Sequence, residues 1–110
     1  MIDFRLDTVL VVYKKPINMH RSYDGLLTLA VSELRVDPMK NTPILFVNRD
    51  RNQFKVLFSQ NGQICIFSMR LAGSMKMDFT QISKIEWVVL NELIKNAQSR
   101  KSRLQHILGI

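Results

Sequence analysis

A chain of 110 residues, 46% of them hydrophobic, is long enough for one hydrophobic core and too short for a second, and that composition excludes a largely disordered chain. Sixteen Lys and Arg against nine Asp and Glu leave a formal net charge of +7, which favours a polyanionic partner, nucleic acid above all. No apolar run approaches the roughly 18 residues of a membrane span, and Met1 to Asp7 lack the basic-then-apolar order of a signal peptide, so a cytoplasmic protein with no membrane partner is expected. The single Cys65 excludes an internal disulfide.

Thr8 to Tyr13 read Thr-Val-Leu-Val-Val-Tyr, β-branched and aromatic throughout, which predicts an interior strand buried on both sides. Phe4 and Leu6 alternate with charged neighbours and extend the pattern towards an edge. Lys14-Lys15-Pro16 ends the strand, because proline has no donor for the ladder. Ser22 then caps a helix with Asp24 in its first turn, and Tyr23, Leu26, Leu27, Ala30 and Leu34 make one apolar stripe. Gly25 is read as a place where that helix approaches another backbone closely. The helix must stop by Asp37, since Pro38 pushes its predecessor out of the α region.

Ile44 to Asn48 form the next strand, and Arg49-Asp50-Arg51-Asn52 turn the chain so that Asn48 pairs with Gln53. Asn61-Gly62 is a strong hairpin signal, because both central residues of a type I′ turn need positive φ. Pairing Gln60 with Gln63 sets Phe58 opposite Cys65, Val56 opposite Phe67 and Phe54 opposite Met69. Leu45 and Val47 join that dry face, where Cys65 is expected to be a buried, unreactive small hydrophobe. Phe46, Leu57, Ile64 and Ile66 fall on the mixed face, with Lys55 and Arg70 towards the open end of the hairpin. A turn at Ala72-Gly73-Ser74 leads to a further expected strand that places Met75, Met77 and Phe79 on the dry face.

From Ser83 the period changes. Ser83 with Glu86 fits a capping box, and Ile85, Val89 and Leu93 with Leu90 and Ile94 form a wide helical stripe, broadened by Trp87 and Val88. Lys95, Arg100, Lys101 and Arg103 follow with no acid among them, and Leu104, Ile107 and Leu108 resume helical spacing before Gly109, a C-terminal cap. The expected fold is α+β: a small antiparallel sheet, the Leu26 helix on its dry face, and a C-terminal helix or helical pair. One domain is expected over 1–110, with a core over 8–80 and a helical extension over 81–110.

Chemistry-bearing constellations are sparse. One Cys and two distant His, His20 and His106, do not make a metal site. The four glycines punctuate turns and helices and do not form a phosphate loop. No candidate base stands beside a candidate serine, and Asp7, Asp24, Asp50 and Asp78 sit at caps, turns and strand ends. The expectation is a protein without enzymatic activity, metal or cofactor.

Pro16, Met19, Ser22 and Asp24-Gly25-Leu26, then Asp37-Pro38, Leu45-Phe46-Val47, Arg49 and Arg51, Lys55 with Leu57, Cys65 and Arg70-Leu71 resemble, in order and spacing, the TnpB accessory proteins of insertion-sequence family sixty-six. The resemblance covers roughly residues 8 to 77, and the basic segment from Asn91 onward lies outside it. That family is unrelated to the RNA-guided nucleases sharing the TnpB name. The sequence departs from the pattern at His20, at Ser59-Gln60-Asn61 before the hairpin glycine, and at Met69, where basic, aromatic-acidic and basic residues are usual.

The resemblance implies a bacterial mobile-element protein that assists transposition beside a larger transposase. It implies as partners the element's DNA, its transposase, or both. Non-specific DNA binding through phosphate contacts is the first expectation, with Lys14, Lys15, Arg21, Arg49, Arg51, Lys55, Arg70, Arg100, Lys101 and Arg103 as candidates. The alternative is an interaction module docking on the transposase or forming a homo-oligomer through Phe46, Leu57, Ile64, Ile66 and Trp87, unless the C-terminal helix covers that patch.

Overall fold

The computed structural model describes residues 4–40 and 42–97. Its longest element pair is the hairpin of β3 (Gln53–Gln60) and β4 (Gln63–Arg70), closed by Asn61 and Gly62 at φ 52° and 75°, as a type I′ turn demands. Gln60 pairs with Gln63, Phe58 with Cys65, Val56 with Phe67 and Phe54 with Met69, so the register is the one the turn dictates. β2 (Ile44–Val47) runs antiparallel to β3, with Val47 opposite Phe54, and the Asn48 amide donates to the Gln53 carbonyl at 3.1 Å.

β1 (Val9–Val12) lies on the other side of β2 and is parallel to it, Val11 and Val12 pairing with Ile44 and Leu45. The connection between them carries α1 (Tyr23–Ser32), because parallel neighbours need a long crossover that a helix conveniently fills. A short β5 (Lys84–Glu86) completes the sheet antiparallel to β1, giving the order β4-β3-β2-β1-β5. The fold is α+β with a mixed sheet of five strands, not the wholly antiparallel sheet expected.

Alternation along the strands sends side chains to two separate cores. Leu10, Val12, Leu45, Val47, Phe54 and Val56 belong to one, with Met75, Phe79, Ile85, Leu90 and Ala97 packed over them. Ile44, Phe46 and Leu57 belong to the other, under Leu26 and Ala30 of α1. The Leu26 helix therefore covers the face predicted to be mixed, and the face predicted to hold it is covered by the C-terminal third of the described chain. The crossover from β1 to β2 puts α1 on one side only, and that topology is invisible to strand alternation.

Three further expectations are corrected. Met75, Met77 and Phe79 do lie against the first core, but in a loop and a 3₁₀ turn (Phe79–Gln81), not a strand. Ser83 and Glu86 form no capping box: Lys84 to Glu86 pair with β1, and α2 spans Trp87–Asn96, with Glu86 at its N-cap making no side-chain cap bond. The stripe is consequently rephased. Ile85 enters the core with strand periodicity, Leu90 and Ala97 with helical periodicity, and Val88 and Val89 are left exposed.

Cys65, expected to be buried, is half-buried. It stands on β4, which among the described residues is an edge strand paired on one side only. Phe4 belongs to no strand. It bridges the hairpin and α2, its ring edge-to-face with Phe58 and Trp87 at centroid distances of 5.4 and 5.2 Å.

At α1, the Ser22 hydroxyl accepts from the Gly25 amide. The helix ends with the Glu33 and Leu34 amides donating to the Leu29 carbonyl, and the chain turns back as the Val36 amide donates to the Ala30 carbonyl while Arg35 takes φ 54°. Gly25 approaches no other backbone. A Cβ there would stand 2.6 Å from the Arg21 side chain, so the glycine makes room for the stem of that arginine.

Candidate nucleic-acid interface

Because β1 and β2 are parallel, their carboxyl ends emerge together, and the segments that follow them build a cleft. After β1 the Tyr13 amide donates to the Leu45 carbonyl and the Ile17 amide to the Val47 carbonyl, at 2.9 and 3.1 Å. Lys14, Lys15 and Pro16 arch outward between those two bonds, all exposed. After β2 the chain turns on Asn48. Its Oδ1 accepts from the Asn52 and Gln53 amides, both at 3.1 Å, and its Nδ2 donates to Asn52 Oδ1 at 2.7 Å. Arg49 and Asp50 form the tip, and Arg51 is held in the left-handed region at φ 56°, which a bulky residue rarely adopts.

Two backbone bonds fix this turn to the rest of the fold. The Met75 amide donates to the Arg51 carbonyl at 2.8 Å and the Leu71 amide to the Asn52 carbonyl at 2.7 Å. The same tether brings Asp78, Phe79 and Thr80 to the third side. The resulting cleft has a volume of about 210 Å³; its polar lining is Lys14, Asn48, Arg49, Arg51, Asp78 and Thr80. Asp78 accepts from the Thr80 amide at 3.0 Å and from the Thr80 hydroxyl. Those two bonds, aided by the Arg51 charge, hold its carboxyl below the usual range. Three cations and one carboxylate leave the cleft net positive.

The predicted cations separate into distinct environments. Among the described residues, Lys14, Arg49 and Arg51 make no side-chain hydrogen bond or ion pair, and they share this cleft. Lys15 is paired with Glu33 at 3.2 Å, and Glu33 also accepts from the Tyr13 hydroxyl. The two bonds, Tyr13's first, hold Glu33 below its ordinary value. Lys55 is half-buried and inward-working: its Nζ donates to the Met19 and Arg21 carbonyls at 2.9 and 3.4 Å, pinning the loop before α1 to the sheet. Arg21 is exposed on that loop. Arg70 is exposed at the end of β4 opposite Gln53, away from the cleft lining. Arg100, Lys101 and Arg103 lie outside the described residues.

Arg51, Lys55 and Arg70, near one another in the hairpin and its entry turn, do not form one surface. Register places Lys55 and Arg70 on the α1 face, whereas the turn geometry carries Arg51 to the β1–β2 end. Sequence reasoning missed Thr80 and Asp78 at this cleft, and their approach depends on the Met75–Arg51 backbone bond, for which the sequence carries no local signal. The strand–helix–strand order of residues 8–48 was the available signal for the parallel pair, and for the usual position of binding crevices at the carboxyl ends of such strands.

The apolar patch offered for docking is filled from within. Phe46 and Leu57 are fully buried, and Ile64 and Ile66 pack with them under α1, not under the C-terminal helix. Among the described residues no three His, Cys, Asp or Glu side chains gather as a metal site, and no helix is long and apolar enough to cross a membrane.

The fold and the cleft define a small α+β domain with a mixed sheet and a basic cleft at the carboxyl ends of its two parallel strands. The chain belongs to the IS66 Orf2 like protein family, whose model matches residues 8–103; it is an accessory protein of an insertion sequence. The match passes beyond the stretch that carries the resemblance, so Arg100, Lys101 and Arg103 fall inside the family's span. No curated protein and no solved structure matches the chain.

Proposed function

We propose that this accessory protein assists transposition by binding DNA through charge, without an enzymatic step, and that Lys14, Arg49 and Arg51 are its principal phosphate contacts. The observation that carries this reading is the convergence of three cations without side-chain partners on one concave surface, in a protein of net charge +7. Arginine and lysine presented to phosphates fix position on the duplex and carry no base information. Among the described elements none has the form of a helix-turn-helix, so binding indifferent to sequence is the fitting mode. Lys55 leaves the contact set because its ammonium is already spent on two carbonyls. Arg21 and Arg70 remain peripheral contacts on the α1 face. The element's DNA is the direct partner in this reading, and the transposase an indirect one.

The test is a titration of duplex DNA at two salt concentrations. Affinity falls with salt at a logarithmic slope of about 0.9 per phosphate contact. The Arg49→Gln/Arg51→Asn double variant shallows that slope by about two contacts' worth, equally for element and scrambled sequences. Arg70→Gln has the smaller effect. Unchanged binding in the double variant removes the cleft from the mechanism. Failure of the parent to bind at low salt favours docking on the transposase, for which exposed Leu6, Val9, Val88 and Val89 are among the remaining apolar side chains.

A further inference from the structure

The cleft is more selective than a basic surface needs to be. A convex positive face suffices for duplex phosphates, each of which is flanked by two sugars and carries a single charge. Here the cations stand around a concavity of about 210 Å³, smaller than the roughly 300 Å³ at which pockets for whole organic ligands begin. The buried side chains of Tyr13, Val47 and Phe79 form part of its wall. Three cations around a small open cleft match a group with three acceptor oxygens and close to two charges, which is a phosphate monoester. Asp78, held by two bonds from Thr80, offsets one of the three charges and leaves the cleft net positive.

The backbone supports the same reading. Arg51 occupies the left-handed region, where Gly or Asn would sit with less strain, and outliers of this kind cluster at binding sites.

The geometry points to a phosphate-monoester site formed by Lys14, Arg49 and Arg51, with the Thr80 hydroxyl beside it. This rests on the charge-binding reading of the cleft and adds that the ligand is a terminal or free phosphate in preference to an internal diester. Its two sources are the 5′-phosphorylated end of a DNA strand and inorganic phosphate, and the chemistry recognised is the same.

Fluorescence anisotropy with two single strands of identical sequence, one 5′-phosphorylated and one 5′-hydroxyl, reads the first source with the full chain. NMR titration with inorganic phosphate alone, following the amides of Arg51 and Thr80, reads the second. The phosphorylated strand binds about tenfold tighter, the worth of roughly one charge-assisted hydrogen bond. Arg51→Asn, which keeps a residue tolerant of positive φ, brings the two strands within about twofold while its amide spectrum stays native. Arg70→Gln keeps the preference. Saturable amide shifts with inorganic phosphate but no end preference support the site with free phosphate as its ligand. Equal affinity for both strands together with no saturable phosphate shift overturns the site. The charge-driven reading then stands or falls separately on the duplex salt slope.

Discussion

Tyr13 shows how one side chain ties packing to ionisation. Its ring is buried against Phe46 while its hydroxyl donates to Glu33. Burial first, then the Glu33 bond, push its pKa from an ordinary 10.0 up to about 12. A proton held more tightly when folded stabilises the fold fully below pH 10.0, and that contribution is lost as pH rises through about 12. Glu33 has the opposite sign: its carboxylate is favoured in the folded state, so its contribution is present above 4.5 and lost as pH falls through its lowered value. Tyr13→Phe should abolish the late tyrosinate absorbance step and let the Glu33 carboxyl titrate closer to its ordinary value by NMR. An unmoved Glu33 would show that Lys15 alone holds it. Lys55 makes a second residue-level prediction. Lys55→Met removes both anchors on the loop before α1 and should cost about 1–3 kcal/mol in urea unfolding, with little change in DNA affinity. The reverse pattern would return Lys55 to the phosphate contacts.

At the level of elements, the hairpin was legible because its determinants are local. Asn61-Gly62 selects the turn, the turn selects the register, and the register selects the faces, all within 18 consecutive residues. Gly62 has φ 75°, so Gly62→Ala should destabilise by about 1–2 kcal/mol in denaturant unfolding although nothing lies within 4 Å of the added carbon. A neutral result would mean the turn relaxes to another type. The helix start at Ser22 was legible for the same reason, its cap and acidic first turn lying within three residues. The boundary at Ser83 was misread because Lys84-Ile85-Glu86 is too short to show its own period. Its strand state is decided by pairing with Val9 to Val11, more than 70 residues away in the chain. The candidate cleft was half legible: Lys14, Arg49 and Arg51 were candidates by charge, but Lys15 and Lys55, equally basic, are engaged in partnerships that composition does not reveal.

Across the whole molecule, β2 is the pivot. All four of its residues are buried, and it is paired on both sides, whereas β4 and β5 are each paired on one side only among the described residues. Native-state hydrogen exchange should therefore find the Ile44 to Val47 amides among the slowest, opening only with global unfolding, and the outward β5 amides among the first to exchange. Comparable protection of β5 would mean that something covers that edge in solution. The sequence by itself determined which residues alternate, where two turns and one helix begin, that the chain is basic, and which family it belongs to, because each of these is written in neighbouring residues or in their order. Only the tertiary structure decided that β1 and β2 are parallel, that α1 lies over Phe46 and Leu57, and that Lys14, Arg49 and Arg51 meet while Lys55 turns inward. Those outcomes depend on which distant segments pack together, and packing is selected by the shape and burial of the whole core.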